Sequence, residues 1–460
     1  MRQTLRRSCT ACSKSKQSCD LKTPRCARCT RRKTQCFYAN EPTRSLDRSS
    51  SLTNYRLGSL DPFDSYPQTR LPNEQVQRLI HSFLHKIAFQ YYPLDLNATS
   101  NPFLVSWWPL ALGDPALFHV SLQTACLDEE LLAQNGFRSS EILMADSVAL
   151  LRRKIENASL AVQDGTMNSV ITLATIEFGK GNNKIAEMHV EGVKQLVHMR
   201  GGINSVRQTS PLTARMISWV SMLITGFPQF SSQDDFGIGD GIPPIPEWQL
   251  EPTATHDLPD IIHDVDYDVS NVFVRLRNVF QRTQNLQFPN TRLHDLTSFV
   301  IHRLLYLPSD ASNLQKSPVS ECVRCAIVLY MFVIQGPTYY SHVNIMNTMV
   351  VSLMKNLSRL DATPRVYSYL DIWLSVIGMV ASAGTNLYQW FLERSRMIST
   401  SLQLVEADDV QTRIKSILWL ETIHAEQIFR PHWDAIMDTA TRPVISEPTC
   451  ISSGSPSSRL

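Results

Sequence analysis

At 460 residues, with 43% apolar and 19% charged residues, the chain can bury one large core beside a small domain, which excludes an intrinsically disordered protein. The net charge of +2 says nothing by itself, but its distribution does. Residues 1–38 hold eleven Lys or Arg and one acid, Asp20, while the rest carries 33 basic and 41 acidic residues. A basic arm on a mildly acidic body is the footprint of a polyanion reader joined to a second function.

The arm also holds six of the ten cysteines, at 9, 12, 19, 26, 29 and 36; the others (Cys126, Cys322, Cys325, Cys450) are scattered. Met1 to Arg7 lead into no apolar run, so no secretory signal is expected. Clustered cysteines in a reducing compartment then read as metal ligands rather than disulfides. Their spacing is Cys9-x2-Cys12-x6-Cys19-x6-Cys26-x2-Cys29-x6-Cys36, with no histidine nearby to make a mixed finger. Two tetrahedral zinc ions need eight ligand positions, and six thiolates fill them only if two sulfurs bridge both metals. The pattern therefore predicts a binuclear cluster held by Cys9, Cys12, Cys19, Cys26, Cys29 and Cys36. Zinc is the expected cofactor, two ions per chain.

Residues 39–72, rich in Ser, Pro, Asp and Arg and without periodicity, read as a flexible linker. From 73 to 442 the apolar spacing is helical. In 73–92, Val76, Leu79, Ile80, Phe83, Leu84 and Ile87 share one face. Asp114-Pro115 is an N-cap followed by proline at the first helical position, opening a deeply buried helix over 116–132. Further helices are expected at 140–158, 166–178, 185–199, 211–224, 270–285, 292–306, 318–334, 344–358, 366–380, 384–398 and 409–428. Residues 226–263 read as irregular, and 443–460 as a disordered tail. The fold class is thus a small Zn2Cys6 cluster domain followed by a large all-α domain. The 21 residues 372–392 lack a formal charge, but Ser375, Gly378, Ser382, Gly384, Thr385, Asn386 and Gln389 favour a buried core helix over a membrane span.

The cysteine pattern resembles the fungal Zn(II)2Cys6 binuclear-cluster transcription factors, down to Pro24 two residues before the fourth cysteine. The resemblance implies that Cys9 and Cys26 bridge the metals. It also implies that the helix after the second cysteine, here Ser13 to Ser18, enters the major groove at a CGG-type triplet. Lys16 matches one of the family's basic positions and is the candidate donor to guanine N7/O6, with Lys14 beside it. Ser13 and Ser15 depart from the usual basic residues, which points to a related triplet; this Ser-Lys arrangement resembles some regulators of fungal secondary metabolism. Arg25, Arg28, Arg31, Arg32 and Lys33 are expected on phosphates, where they set affinity rather than sequence choice. Arg6 and Arg7 suit a backbone clamp, a nuclear-import signal or an exposed tail. No sustained heptad follows the arm, so dimerisation stays open.

Residues 74–442 resemble the fungal-specific regulatory domain of the second common type attached to such clusters. The resemblance rests on Asn101-Pro-Phe, Trp108-Pro, Asp114-Pro-Ala-Leu-Phe-His119, His189-x-Glu191-Gly192 and Met199-Arg-Gly-Gly202. It implies an α-helical body that recruits transcription machinery and has no enzyme activity. Local look-alikes are set aside. His189-x-Glu191 lacks a third ligand and reads as a helix-end feature, while Arg200-Gly201-Gly202 is a helix stop. Asp264-x-Asp266-x-Asp268 would need Gly and Glu where Val269 and Arg275 stand, so it is not a calcium loop. Cys322-x2-Cys325 reads as core, and Gly237-x-Gly239-x-Gly241 as a loop. The acidic-apolar stretch 257–269 has the composition of an activation segment or of a solvated loop. The expected function is a nuclear regulator of RNA polymerase II genes that binds double-stranded DNA. The alternatives are a scaffold whose zinc unit binds protein or RNA, and an enzyme localised by its cluster, against which no catalytic motif stands.

Overall fold

The computed structural model describes residues 10–20, 26–34, 36, 66–134, 136–251, 264–283, 289–306, 317–336, 338 and 340–438. The chain divides into two compact units, Met1–Leu60 and Asp61–Leu460. The first contains two five-residue helices, α1 (Thr10–Lys14) and α2 (Ala27–Arg31).

The second unit is helical, with one isolated bridge, Ser232 to Ile242, among the described residues. It begins earlier than the sequence suggests. Tyr66 stacks on Phe118, Leu71 is buried, and Arg70 pairs with Asp146 at 2.8 Å, so 66–72 belong to the body and not to the linker.

α3 (Asn73–Ser82) runs through a wide π turn, Phe83–Ile87, into α4 (Ala88–Tyr91), burying Val76, Leu79, Phe83 and Ile87. A second π turn, Phe103–Trp107, leads into α5 (Trp108–Gly113), a helix not expected from sequence. It is started by the buried Asn101, whose Oδ1 accepts from Phe103 N at 2.9 Å while its Nδ2 donates to Asp95 O at 2.7 Å. α6 (Pro115–Ala133) is capped as expected: Asp114 Oδ1 accepts from Ala116 N and Leu117 N. Every residue from Ala116 to Leu127 is buried.

α7 (Arg138–Ile155), α8 (Ala158–Ala161), α9 (Asp164–Gly179), α10 (Asn183–Met199), α11 (Ile203–Thr209) and α12 (Pro211–Thr225) complete a first core around α6 and α9. α10 stops where the glycine pair allows it. Gly201 and Gly202 have φ of 93° and 96°, and their N–H groups cap His198 O and Val197 O. His189, expected at a helix end, lies in the middle of α10 instead.

The irregular stretch carries α13 (Pro246–Gln249), and Gly237, Gly239 and Gly241 all sit in its loop at positive φ. The second core is built from α14 (Tyr267–Thr283), α15 (Asn290–Leu305), α16 (Pro318–Gln335), α17 (Val343–Asp361), α18 (Tyr369–Ala381), α19 (Leu387–Ser401), α20 (Ala407–Ile417) and α21 (Ile423–Met437). Of the acidic-apolar stretch, 257–263 lies outside the described residues, and 264–269 leads into α14. Cys322 and Cys325 are fully buried on α16, and burial pushes both thiols up. α16 is long and apolar enough to cross a membrane, yet most of it is buried in this core. The uncharged run 372–392 is not one helix: a turn between Ala381 and Leu387 splits it. The expected 409–428 helix is likewise two, because the chain extends at Leu418 and Thr422 Oγ1 caps a new start by accepting from Ala425 N at 3.1 Å.

α12 belongs to both cores. Ala214, Met216, Ile217 and Val220 face the first, while Trp219, Met222 and Leu223 face the second. Arg215 on the same helix makes two bonds to Asp295 on α15, at 2.7 and 2.8 Å. Tyr340 crosses the same boundary and donates to Thr175 Oγ1 at 3.1 Å.

Three histidines around the second core, the buried His294 and His302 and the half-buried His342, are each pulled down to about 4, chiefly by loss of hydration. Their folded pKa lies below the unfolded value near 6.5. The stability they contribute is therefore complete above about pH 6.5 and is lost as the pH falls toward 4. Each can steepen that loss by up to roughly 1.4 kcal/mol per pH unit. All eight tryptophans lie beyond residue 100, so urea unfolding followed by tryptophan fluorescence reads the body alone. Its midpoint should drop progressively at pH 7, 6 and 5, and a flat profile would contradict the neutral state of these rings.

Candidate metal centre and nucleic-acid interface

In the first unit the two halves repeat one local structure. Each has a five-residue helix that carries the second cysteine of its Cys-x2-Cys pair, Cys12 or Cys29. Gln17 N bonds Cys12 O, and Thr34 N bonds Cys29 O, both at 3.0 Å. Between these closures stand Lys16 (φ 50°) and Lys33 (φ 51°), both left-handed. A six-residue closure over a left-handed residue is the Schellman helix stop, usually made with glycine. The two lysines hold equivalent positions, each four residues past the second cysteine of its pair.

These stops correct the expected reading helix. The helix is Thr10–Lys14, not Ser13 to Ser18, and Lys16 lies just beyond its end. Ser15 helps end it: its hydroxyl donates to Ala11 O at 2.9 Å and Cys12 O at 3.2 Å. α2 is held at both ends of its first turn. Asp20 accepts from Ala27 N at 3.1 and 3.2 Å, and Cys26 Sγ accepts from Cys29 N at 3.4 Å.

Cys12, Cys26, Cys29 and Cys36 are buried together, with Cys19 at their edge. The sulfurs of Cys12, Cys26 and Cys29 lie within 4.8 Å of one another, and Cys19 and Cys26 group in the same way. Cys12 and Cys26 sulfurs are 3.7 Å apart. Two sulfurs on one tetrahedral zinc, at Zn–S of about 2.3 Å, stand about 3.8 Å apart. The donor set and spacing therefore fit zinc. Cys26 is central. It lies beside Cys12 and Cys19 of the first half and Cys29 of the second, and its own N–H points at Cys36 Sγ at 3.3 Å. The Cys29 N–H is the main influence holding the Cys26 thiol below its usual range, which favours the thiolate a metal needs. Cys9, Arg6, Arg7, Pro24 and Arg25 lie outside the described residues.

Lys14, Lys16, Arg31, Arg32 and Lys33 are exposed, a basic surface on the unit. Arg28, expected on a phosphate, is instead half-buried, and its Nη1 donates to Gln17 Oε1 at 2.6 Å. That bond ties α2 to the residue next to Lys16. Sequence reasoning missed both Gln17 and Asp20; the only trace was that Asp20 is the single acid in a basic arm.

Two matches to known families fall one in each unit. Residues 7–45 match the Fungal Zn(2)-Cys(6) binuclear cluster domain, and residues 78–225 match the Fungal specific transcription factor domain. The second match ends with α12, so helices α14 to α21 of the second core lie outside it. No curated protein and no solved structure matches the chain.

Small zinc units fold on their metal. Chelation of the full chain with EDTA should erase hydrogen-exchange protection in α1 and α2 and leave α6 and α9 protected. Survival of protection in α1 and α2 would remove zinc as their organiser.

Proposed function

The chain is a fungal Zn2Cys6 transcription regulator, DNA-binding and non-enzymatic, and from that premise we propose that it is a pathway-specific regulator of RNA polymerase II genes of fungal metabolism or secondary metabolism. It acts in the nucleus and binds double-stranded DNA at a CGG-like or related triplet. The observation that carries this reading is the placement of Lys16. It is exposed and left-handed, and its position is fixed by the closure onto Cys12, whose sulfur groups with those of Cys26 and Cys29.

Cys9, Cys12, Cys19, Cys26, Cys29 and Cys36 would hold two zinc ions per chain, which would supply the cross-link that makes the two halves one rigid piece. The chain's own residues do the recognition. Lys16, with Lys14 alongside, donates to guanine N7 and O6 in the major groove. Arg25, Arg31, Arg32 and Lys33 neutralise phosphates. Arg28 acts by holding Gln17, and so the backbone that carries Lys16. The helical body contacts the transcription machinery.

Selection of the full chain on random duplexes reports the triplet, and half-site spacing in the selected site reports a homodimer. Lys16→Ala should cost about 1–3 kcal/mol of duplex affinity and relax the choice of base. Arg31→Ala should weaken all duplexes alike and lower the salt slope by about 1. Arg28→Ala should relax specificity without changing that slope. If Lys16→Ala leaves duplex affinity unchanged, the zinc unit serves protein or RNA instead. Zinc found by elemental analysis at one ion per chain would overturn the shared-sulfur arrangement.

A further inference from the structure

A trough on the first core takes no part in the reading above. α7 and α10 both pack on α9 and leave a gap between them of about 230 Å³, floored by Val170 and Leu173. One wall is Val148, Leu151, Arg152 and Ile155, a single face of α7. At 1.5 Å per residue this face is about 10 Å long, two turns of helix. Met188 and Leu196 stand on the opposite wall. Ile155 and Met188 remain 50% and 71% exposed, although both border an apolar cavity. Large apolar side chains clustered at the rim of such a gap mark a surface that something covers.

Two further observations say what kind of occupant fits. The first is Gly192, which lines the trough in the middle of α10. A Cβ there would meet only Val170 Cγ1, at an ordinary 3.9 Å, so packing within the fold does not require glycine. A mid-helix glycine costs about 1 kcal/mol relative to alanine. What it leaves is a bare stretch of wall against which another backbone can lie closely. The second is charge. Arg152 is the one cationic guanidinium in the lining, exposed at its edge with Arg153 next to it, and neither makes an ion pair among the described residues. Among the described residues no carboxylate lines the trough, and Glu191 beside Gly192 on α10 is already paired with Lys194 at 2.7 Å. The volume falls below the ~300–1,000 Å³ of small-molecule sites. The trough is also partly open to solvent, which suits inserted side chains rather than an enclosed ligand.

We propose that this trough docks an amphipathic helix of a partner protein, two to three turns long. Its apolar side chains, at i, i+3, i+4 and i+7, enter between α7 and α10. A carboxylate on its flank meets Arg152, and its backbone passes over Gly192. The contact completes a four-helix arrangement of which α7, α9 and α10 are three members. It provides the body with a recruitment surface that does not depend on the DNA reading of the zinc unit.

The test uses the full chain and two fluorescein-labelled synthetic 18-residue helical peptides. They share Leu at the i, i+3, i+4 and i+7 positions and carry either Glu or Lys on the flanks. Because all variants keep the same basic arm, differences between them read the trough alone. By fluorescence polarisation the Glu peptide should bind at least ten-fold tighter than the Lys peptide. Arg152→Glu should remove or invert that preference, and Gly192→Leu, which fills the gap, should abolish binding of both. Gly192→Ala, whose Cβ the fold itself accepts at 3.9 Å from Val170 Cγ1, should weaken binding of both peptides without loss of the fold, which separates filling from misfolding. Bound Glu peptide should also slow hydrogen exchange in α7 and α10. The proposal is overturned by equal binding of the two peptides in the parent chain, by failure of both to bind, or by binding that survives Gly192→Leu. Displacement of the Glu peptide by decanoate at equal concentration would also overturn it, assigning the trough to a small amphiphilic carboxylate.

Discussion

Four other thiols gather around Cys26, and the arm has almost nothing else to hold it together. Residues 10–36 contain no large apolar side chain among those described; the buried side chains there are cysteines. A segment so small cannot bury enough surface to offset its ordering entropy. The clustered sulfurs stand in for a core. Cys26 lies beside sulfurs of both halves, each of which has a helix of only five residues. Arg28 and Gln17 add a second strut between the halves on the side where Lys16 emerges. The charge that would recognise a polyanion is therefore carried on a frame whose rigidity comes from coordination and a few hydrogen bonds, not from packing.

Much of this was legible in the sequence, and the unread parts share physical causes. Cysteine spacing declares ligands because few other chemistries need sulfur at those intervals. Asp114-Pro115 and Gly201-Gly202 declare helix ends because each is a local solution to unsatisfied backbone groups. Lys16 and Lys33 were hidden for the opposite reason. Lysine has no preference for left-handed backbone, and only the return of the chain to the cluster imposes it. Asn101 hid α5 because its cap works through a buried side chain reaching back to Asp95 and Tyr92. Apolar spacing ran through Leu418, Trp419 and Leu420 without a break, so one helix was expected where there are two. All three are buried in the second core, Trp419 packing on Phe429, in an extended segment that periodicity cannot distinguish from a helix.

The body divides its labour differently from the arm. α6 and α9 are buried on nearly every side and set the positions of the helices around them, including the two walls of the trough. Ion pairs such as Arg394 with Asp361, at 2.7 Å, and the Ser368–Asp371 capping box fix the second core in the same way. In both cores the buried charged groups, among them Glu177, Asp295, Arg275, Asp371 and Arg394, are paired within the fold. The unpaired guanidiniums at the trough's rim stand out against that background.

α12 is a seam rather than a border. One of its faces closes the first core and another opens the second, with Trp219, Met222 and Leu223 already facing the helices beyond. A fragment ended at residue 225, where the recognised domain stops, would expose that tryptophan face and strip Arg215 of Asp295. Such a piece would be sticky, and its poor behaviour would say little about the stability of the intact body. The natural unit for dissection is the whole run from Tyr66 through α21, with both cores kept on their common helix.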